Sequence, residues 1–273
     1  MGHLRPDTTD KKDLSIIIPA FNEEKIIYKN LGKTDEALKN ILQKHGYTYE
    51  IIVVDDGSTD NTYKEALNVS ENSVNIKVVN YKKNGGKGKA LKYGFKYCNA
   101  RYVTFIDADL DLHPNQISHF IEYMEENNAD VVIGSKRHPL SIINYPTSRK
   151  VLSGGYHLLT RLLFHLDLSD TQTGLKLFKN EVLKEILPRI LCKKYAFDLE
   201  LLVNVKTRGW KITEAPIELN WQRANNRLKL QDMWHLGLDT AAIFYRLKIK
   251  KHYQDRQYFY HFKLLKDYIS VKK

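Results

Sequence analysis

The sequence predicts an α/β protein with a mainly parallel sheet that carries helices on both of its faces. Buried strand patterns alternate with helical patterns five times between Leu14 and Gly134, and the connections between strands are too long for hairpins. Such alternation is typical of parallel strands joined by crossover helices. Clusters of Asp, Gly and Asn follow several of these strands. In such sheets ligands bind beyond the carboxyl ends of the strands, so these clusters predict a site there.

Five segments rich in β-branched and aromatic residues are predicted as strands, at 14–19, 47–54, 75–81, 102–106 and 130–134. Four helices are predicted between them from the spacing of their apolar residues, at 23–45, 59–69, 88–98 and 114–127. Each helix connects one strand to the next, which makes the order of elements that of a doubly covered sheet.

The alternation ends after Gly134, and the second half of the chain is predicted to be mainly helical. Helices are expected at 151–166, 197–208 and 232–247, with a short strand at 175–178 and an extended segment at 210–221. The last thirty residues mix cations with aromatic side chains. We therefore expect a flexible tail at 1–13, one α/β domain at 14–230, and a basic aromatic extension with amphipathic helices at 231–273.

The composition is that of an ordinary soluble globular protein, with 42% hydrophobic and 27% charged residues among 273. No apolar run approaches the length that crosses a bilayer, and the polar N-terminus lacks a secretory pattern. Cys98 and Cys192 form no metal or redox motif, which agrees with a reducing compartment. A cytoplasmic protein is therefore expected. Its net charge of +11 favours an anionic partner, such as nucleic acid, anionic lipid or a phosphorylated substrate.

Three carboxylates, Asp107, Asp109 and Asp111, follow the predicted strand at 102–106. Residues two positions apart point to the same side of an extended chain, about 7 Å from each other. Acidic side chains at the end of an apolar strand are costly unless they are paired. The pattern predicts a divalent metal site that faces a phosphate, and a solvated acidic turn is the alternative.

Three further clusters are expected at the same edge of the sheet, at 19–23, 55–58 and 85–89. Glu23 and Asp55 offer acceptors for a nucleoside, and the glycine loop around Lys87 suits a diphosphate. The GGKGK sequence is weak evidence by itself because it lacks P-loop spacing. Together with the three aspartates, these residues suit a nucleotide-sugar donor whose leaving diphosphate is stabilised by a metal ion.

Four motifs resemble the inverting glycosyltransferases with a GT-A (Rossmann-like) fold: PAFNEE at 19–24, VVDDGSTDNT at 53–62, NGGKGKA at 84–90 and DADLDLHP at 107–114. More narrowly, they resemble the polyprenyl-phosphate sugar synthases. Three later motifs are most similar to the dolichyl-phosphate glucosyltransferase branch: SRKVLS at 148–153, DTQTGLKLF at 170–178 and FDLELL at 197–202. The resemblance extends from about Leu14 to Lys229.

The resemblance implies a role for individual residues. Donor binding is implied for Pro19, Phe21, Glu23, Asp55, Asp56, Lys87, Asp107, Arg223 and Lys229. Binding of Mg or Mn is implied for Asp107, Asp109 and Asp111, and binding of the acceptor phosphate for Arg137, Arg149 and Ser153. A catalytic role is implied for Asp109, Arg149, Asp170 and Gln172. The chain departs from the family pattern at Asp111, where mannose synthases often have Gln, and at Asn226 and Leu228.

The function implied by the resemblance is metal-dependent, inverting transfer of a hexose to a polyprenyl or dolichyl monophosphate. Glucose from UDP-glucose is the leading donor, with UDP-N-acetylglucosamine and GDP-mannose as alternatives. A saccharide or protein acceptor, with Asp170 as the base, is another alternative. A nucleic-acid-binding protein is a remote one, because five aspartates at the predicted site oppose a polyanion. The basic aromatic tail and the leucine-rich helix favour peripheral contact with the cytoplasmic face of a membrane.

Overall fold

The computed structural model describes residues 11–144, 147–194, 196–220 and 230–254. The strands of this part of the chain are β1 (Lys12–Ala20), β2 (Tyr49–Asp55), β3 (Ile76–Asn80), β4 (Ala100–Phe105), β5 (Val131–Ser135), β6 (Ile142–Asn144), β7 (Lys176–Lys179), β8 (Ile212–Pro216) and β9 (Glu218–Asn220). The helices are α1 (Ile27–Leu42), α2 (Thr62–Ser70), α3 (Lys87–Gly94), α4 (Ile117–Glu126), α5 (Thr147–Phe164), α6 (Asn180–Ile186), α7 (Phe197–Thr207) and α8 (Leu230–Phe244). A π-helical turn at Tyr245–Ile249 follows α8.

Within the described ranges, seven strands form one sheet in the order β3-β2-β1-β4-β7-β5-β8. Neighbouring strands are parallel except around β7, which is antiparallel to both β4 and β5. The pairing places Ala20 opposite Asp55, and Asp55 opposite Asn80. The carboxyl ends of β1, β2 and β3 therefore lie level at one edge, as the sequence predicts.

Apolar layers cover both faces of the sheet. Ile16 and Val53 pack into a cluster with residues of α1 and α4, whereas Ile17 and Val54 pack into a second cluster with residues of α3 and α7. Because successive side chains of a strand point to opposite faces, the uninterrupted apolar runs of β1 and β2 fill both layers. The predicted α/β class with a mainly parallel sheet is confirmed.

Several elements differ from the prediction. The extended segment at 210–221 is two strands, and the second one, β9, pairs with β6 in a separate two-stranded sheet. Neither β6 nor α6 is predicted, because three and seven residues are too few to establish a periodicity. The short strand expected at 175–178 exists as β7, but its direction depends on partners that are remote in sequence.

The two ends of the chain also depart from the predicted boundaries. Strand β1 begins at Lys12, inside the predicted tail, and residues 1–10 lie outside the described part. Ile243 and Tyr253 are fully buried in the second core cluster, so the described part of the predicted extension packs on the domain. The amphipathic C-terminal helices are not confirmed, since α8 exposes Trp234 and Leu238. In the described ranges, every helix is too short or too polar to cross a bilayer.

Candidate active site

A cavity of about 250 Å³ opens at the carboxyl edge of the sheet. It is lined by Pro19, Ala20, Phe21, Glu23, Asp56, Lys87, Asp107, Ala108 and Asp109. These residues come from four separate motifs, which the parallel strands β1, β2, β3 and β4 bring together. Residues from the four clusters predicted at the strand ends therefore line a single concave surface.

The loop that follows β1 is held against the loop that follows β2. The backbone of Asn22 is left-handed, with φ 54°, and its N–H donates to the Ser58 hydroxyl at 3.0 Å. In return, the Asn22 side-chain oxygen accepts from the N–H of Thr59 at 2.9 Å. Asn tolerates this conformation better than most residues. The reciprocal bonds place Phe21 and Glu23 at the cavity wall, and Phe21 keeps 43% of its surface exposed.

The two aspartates at the end of β2 have different surroundings. Asp55 is buried and accepts from the N–H of Ser58 at 3.2 Å, which closes the turn. Asp55 is absent from the cavity lining, whereas its neighbour Asp56 is part of it. The structure therefore places Asp55 off the cavity surface, and its role in donor binding stays a prediction.

The Asp56 carboxylate organises the glycine loop. Its oxygens accept from the N–H groups of Gly85 and Gly86, both at 2.7 Å, from the Asn84 amide at 3.0 Å, and from the Tyr81 hydroxyl. Gly86 is required here, because its φ is 88° and a Cβ would lie 2.7 Å from a backbone carbonyl. Asp56 thus contributes to the site mainly by shaping the loop that carries Lys87.

Lys87 begins α3 and forms an ion pair with Asp107. Asp107 is the first residue of the aspartate motif, which consists of Asp107, Asp109 and Asp111. The Nζ of Lys87 lies 2.6 Å from Oδ1 of Asp107, and both side chains are half-buried. Burial by itself would lower the pKa of Lys87, but the charges of Asp107, Asp198 and Asp109 hold it above its ordinary value. A lysine that stays charged at the cavity wall suits a diphosphate.

The aspartate motif presents two of its three carboxylates to the cavity. Asp107 and Asp109 line it, and Oδ1 of Asp109 accepts from the N–H of Asp111 at 3.2 Å. The backbone of Leu110, between Asp109 and Asp111, is left-handed, with φ 60°. In the described ranges, no three His, Cys, Asp or Glu side chains are grouped to hold one ion, so the predicted convergence with Asp111 is not seen. Two carboxylates on a cavity still fit a hard cation such as Mg or Mn, which takes its remaining oxygens from substrate and water.

Asp170 lies in the connection between α5 and β7 and is almost fully buried. One of its oxygens accepts from Lys136 Nζ at 2.7 Å and from the Thr173 hydroxyl at 2.6 Å. The other accepts from the N–H of Gln172 at 3.0 Å. Burial opposes ionisation, but Lys136 and these hydrogen bonds keep the pKa of Asp170 below its ordinary value. The amide nitrogen of Gln172 is buried and has no hydrogen-bond partner among the described residues.

Gly174 links the Asp170 loop to the aspartate motif. A Cβ at this position would lie closer than 3.0 Å to Oδ2 of Asp107 and 3.2 Å from its Cγ. The carboxylate of Asp107 fills the space that a side chain at position 174 would need. The position of Asp107 therefore depends on a glycine that is distant from it in sequence.

The residues expected to bind the acceptor phosphate are partly described. Arg137 is exposed, and its guanidinium reaches to 4.0 Å from the position of a Cβ on Gly154, the residue after Ser153. Arg149 and Ser153 lie in α5, but their side chains belong to the undescribed part of that helix. Arg137 thus lies near Gly154 of α5, and its role in binding the acceptor phosphate stays a prediction.

Two donor-binding predictions, Arg223 and Lys229, lie outside the described residues. A residue that the sequence analysis missed is His157, on α5. Burial, Arg137 and Arg161 lower the pKa of His157, and Asp170 partly opposes them. His157 is therefore harder to protonate than an ordinary histidine.

The sequence analysis also missed a buried ion pair behind the cavity. Lys176 has no exposed surface, and its Nζ lies 2.7 Å from Oδ1 of Asp198 in the first turn of α7. Lysine is almost never fully buried without a partner. A lysine inside the apolar run Leu175–Phe178 is the signal that could have identified it.

The fold and this cavity define a class of enzyme, the glycosyltransferases with a GT-A fold. Residues 15–187 match glycosyl transferase family 2, and the chain belongs to this family. It is similar to a dolichyl-phosphate beta-glucosyltransferase of Trichomonas vaginalis, with 33% identity over 86% of this chain and 75% of the relative. The enzymes of that name from Dictyostelium discoideum and Saccharomyces cerevisiae are 32% and 30% identical, over 76% and 75% of this chain and 66% of each relative.

Solved structures confirm the fold. Glucosyl-3-phosphoglycerate synthase of Mycobacterium tuberculosis, in complex with Mn²⁺, UDP and phosphoglyceric acid, superimposes with a TM-score of 0.64. It is 19% identical, over 86% of this chain and 78% of that one. The same enzyme with Mg²⁺ and UDP gives a TM-score of 0.63, again at 19% identity over 86% and 78% of the two chains. At this identity the likeness establishes the GT-A fold and no more.

Proposed function

We propose that this protein transfers glucose, with inversion, from UDP-glucose to a dolichyl or polyprenyl monophosphate in a reaction that needs Mg or Mn. The observation that carries the proposal is the cavity in which Lys87 meets Asp107 and Asp109 at the strand ends. The names of the similar curated enzymes supply the acceptor class. UDP-N-acetylglucosamine and GDP-mannose remain alternative donors.

The chain's own residues hold the donor. Phe21 and Glu23 receive the nucleoside at the cavity wall, and Lys87 donates to the diphosphate. Asp107 and Asp109 would hold the divalent cation. When bound, that cation stabilises the negative charge on the leaving nucleoside diphosphate. The ammonium group of Lys87 adds a second positive charge at the same cavity wall.

The acceptor phosphate enters beside the beginning of α5. Arg137 and Arg149 orient it with Ser153, so that one phosphate oxygen attacks the anomeric carbon opposite the leaving group. The new carbon–oxygen bond forms as the bond to the nucleoside diphosphate breaks, which inverts the configuration. A phosphate dianion needs no base, and the rate gain comes from positioning.

The surroundings of Asp170 favour a phosphate acceptor over a saccharide hydroxyl. A hydroxyl acceptor requires a base, and an efficient one has a pKa near the working pH. Asp170 is instead paired with Lys136 at 2.7 Å, and its pKa lies below the ordinary range. We therefore propose that Asp170 stabilises the loop that carries Gln172 and does not act as a base on the acceptor.

A lipid acceptor also requires a surface that meets the membrane. Helix α5 exposes three leucines, and α8, which is joined to it by a 3.1 Å hydrogen bond between Tyr156 and Thr240, exposes three more apolar residues. We name this the leucine–tryptophan surface, formed by Leu158, Leu159, Leu162, Met233, Trp234 and Leu238. Exposed Lys248 and Lys250 follow it in the chain. Apolar side chains with cations nearby suit the interface of an anionic membrane.

The reaction is tested by transfer of radiolabelled sugar into an organic-extractable product. The protein is incubated with dolichyl phosphate, Mg²⁺ or Mn²⁺, and one of UDP-glucose, UDP-N-acetylglucosamine and GDP-mannose. Metal-dependent labelling of lipid from UDP-glucose is the expected result. Hydrolysis of the donor without labelling of the lipid would reject the proposal that a lipid phosphate is the acceptor. An Arg137→Ala variant is expected to raise the KM for the lipid phosphate about tenfold while it leaves that for UDP-glucose nearly unchanged.

The membrane contact is tested by co-sedimentation with vesicles that contain anionic lipid. Trp234→Ser and Leu162→Ser are expected to lower the bound fraction. Val74→Ser provides the matched control, because Val74 is fully exposed in the turn before β3. Equal binding of all three variants would reject the leucine–tryptophan surface as the contact.

A further inference from the structure

Lys176 and Asp198 form a buried ion pair directly behind the cavity. Lys176 Nζ donates to Oδ1 of Asp198 at 2.7 Å and to the backbone carbonyl of Thr173. Lys176 has no exposed surface, and Asp198 is 8% exposed. Neither residue lines the cavity, so neither is placed to contact the donor. A pair of charges this deep is costly to retain unless it serves the fold or the site.

The helices that carry Lys87 and Asp198 are in close contact. Gly88 has no room for a side chain, because a Cβ there would lie 2.7 Å from Cγ of Phe197. Lys87 precedes Gly88 and Asp198 follows Phe197, so the two charges are neighbours across this contact. Burial would lower the pKa of Lys87, but Asp107 and then Asp198 raise it. Lys87 therefore lies in the field of three carboxylates, Asp107, Asp198 and Asp109, and is hydrogen-bonded to one, Asp107, at 2.6 Å.

We infer that Lys176 is a positioning residue, which occupies Asp198 so that Lys87 remains on the Asp107 side of the cavity, where the donor diphosphate binds. Without the charge of Lys176, Asp198 would be a buried carboxylate that lacks its partner. Lys87, whose charge already interacts with that of Asp198, would turn away from Asp107 to pair with Asp198. The inference rests on the proposed donor site and goes beyond it.

This arrangement predicts opposite effects on two ligands. In a Lys176→Met variant, Lys87 no longer competes for Asp107, so Mn²⁺ alone should bind about threefold more tightly. The same variant loses the Lys87 contact to the diphosphate, so UDP with saturating Mn²⁺ should bind about tenfold more weakly. A general loosening of the site would weaken both. Lys179→Met is the matched control, because Lys179 lies on the same strand and pairs with Asp130 at 2.8 Å near the surface.

A second pair of variants separates Lys87 from the other contact of Lys176, the Thr173 carbonyl. If Lys176 acts through Lys87, adding Lys176→Met to a Lys87→Met variant should change UDP binding by less than about twofold. If it acts through the loop of Thr173, the double variant should bind UDP much more weakly than Lys87→Met alone. That second result would overturn the inference.

The experiment measures Mn²⁺ binding by electron paramagnetic resonance and UDP binding by titration calorimetry, with circular dichroism to verify folding. If Lys176→Met does not fold, the variant that also carries Asp198→Asn replaces it. That variant carries no charge at either of these two positions, so it should bind UDP with Mn²⁺ within about threefold of wild type, and a larger loss would overturn the inference. Wild-type protein that binds no UDP would reject the proposed donor site itself. Unchanged binding in folded Lys176→Met would reject only the role of Lys176.

Discussion

Gly174→Ala is expected to damage the metal site without harming the fold. The backbone of Gly174 has an ordinary φ, so alanine is allowed there. Its methyl group, however, would lie closer than 3.0 Å to Oδ2 of Asp107 and 3.2 Å from Cγ. Ordinary contact begins at 3.4 Å, so the carboxylate has to retreat. Asp107 is partly exposed and able to move, so little stability should be lost.

The expected loss of Mn²⁺ affinity and of rate follows from the distance by which the Asp107 carboxylate is displaced. A reacting group misplaced by about 1 Å costs about a hundredfold in rate, and displaced metal ligands cost about ten- to a hundredfold in affinity. The carboxylate moves by roughly half that distance or more, so we expect about a tenfold to thirtyfold loss of Mn²⁺ affinity and a matching loss of rate at low metal. Transfer is measured against Mn²⁺ concentration, and part of the rate should return at high Mn²⁺.

Gly32→Ala is the matched control, since Gly32 lies on the exposed side of α1 with nothing near its Cβ position. It should leave the Mn²⁺ dependence unchanged. A folded Gly174→Ala variant with the wild-type Mn²⁺ dependence would refute the assignment of Asp107 as a metal ligand positioned by this contact.

Three further predictions concern residues whose hydrogen bonds lie within the protein. Asp56→Asn should lower the free energy of unfolding in urea by about 2 kcal/mol, because the amide cannot accept all four hydrogen bonds of the carboxylate; no loss would contradict this. The lowered pKa of Asp170 means that its ionised form stabilises the protein above the ordinary aspartate pKa and loses this effect as pH falls through the folded value. The Tm difference between wild type and Asp170→Asn should therefore be largest at neutral pH and shrink in acid, and a constant difference would contradict it. Glu200→Gln should cost roughly 3 kcal/mol in thermal unfolding, because fully buried Glu200 binds Arg246 at 3.0 Å and Tyr253 at 2.5 Å; a cost below about 1 kcal/mol would contradict this role.

Much of the fold follows from local patterns. The apolar runs of β1 and β2 are uninterrupted because both faces of the sheet are covered, and this is visible in sequence. The polar clusters after the strands are visible too, since parallel strands bring their ends to one edge. The antiparallel direction of β7 and the pairing of β6 with β9 are not visible, because they depend on which remote segments meet.

The candidate site likewise has features that are visible in the sequence and features that depend on tertiary contacts. Asp56, Asp107, Asp109 and Asp170 look alike in sequence, as acids in loops beside strands or in a family motif. Asp56, although it lines the cavity, and Asp170 use their carboxylates within the protein, where they accept hydrogen bonds from the glycine loop and from Lys136. Asp107 and Asp109 face the cavity. Composition and spacing do not separate these uses, because they depend on the neighbours that fold against each carboxylate.

By itself, then, the sequence determined the class of fold, the edge where the site lies and the family. The tertiary structure decided which charged side chains pair within the protein and which face the cavity, where a ligand can bind. Lys176 illustrates the reason, since it is one lysine among many in the chain until Asp198 comes within 2.7 Å of it. The energy of a charge depends on burial and on its partners, and both are created only when distant segments pack together.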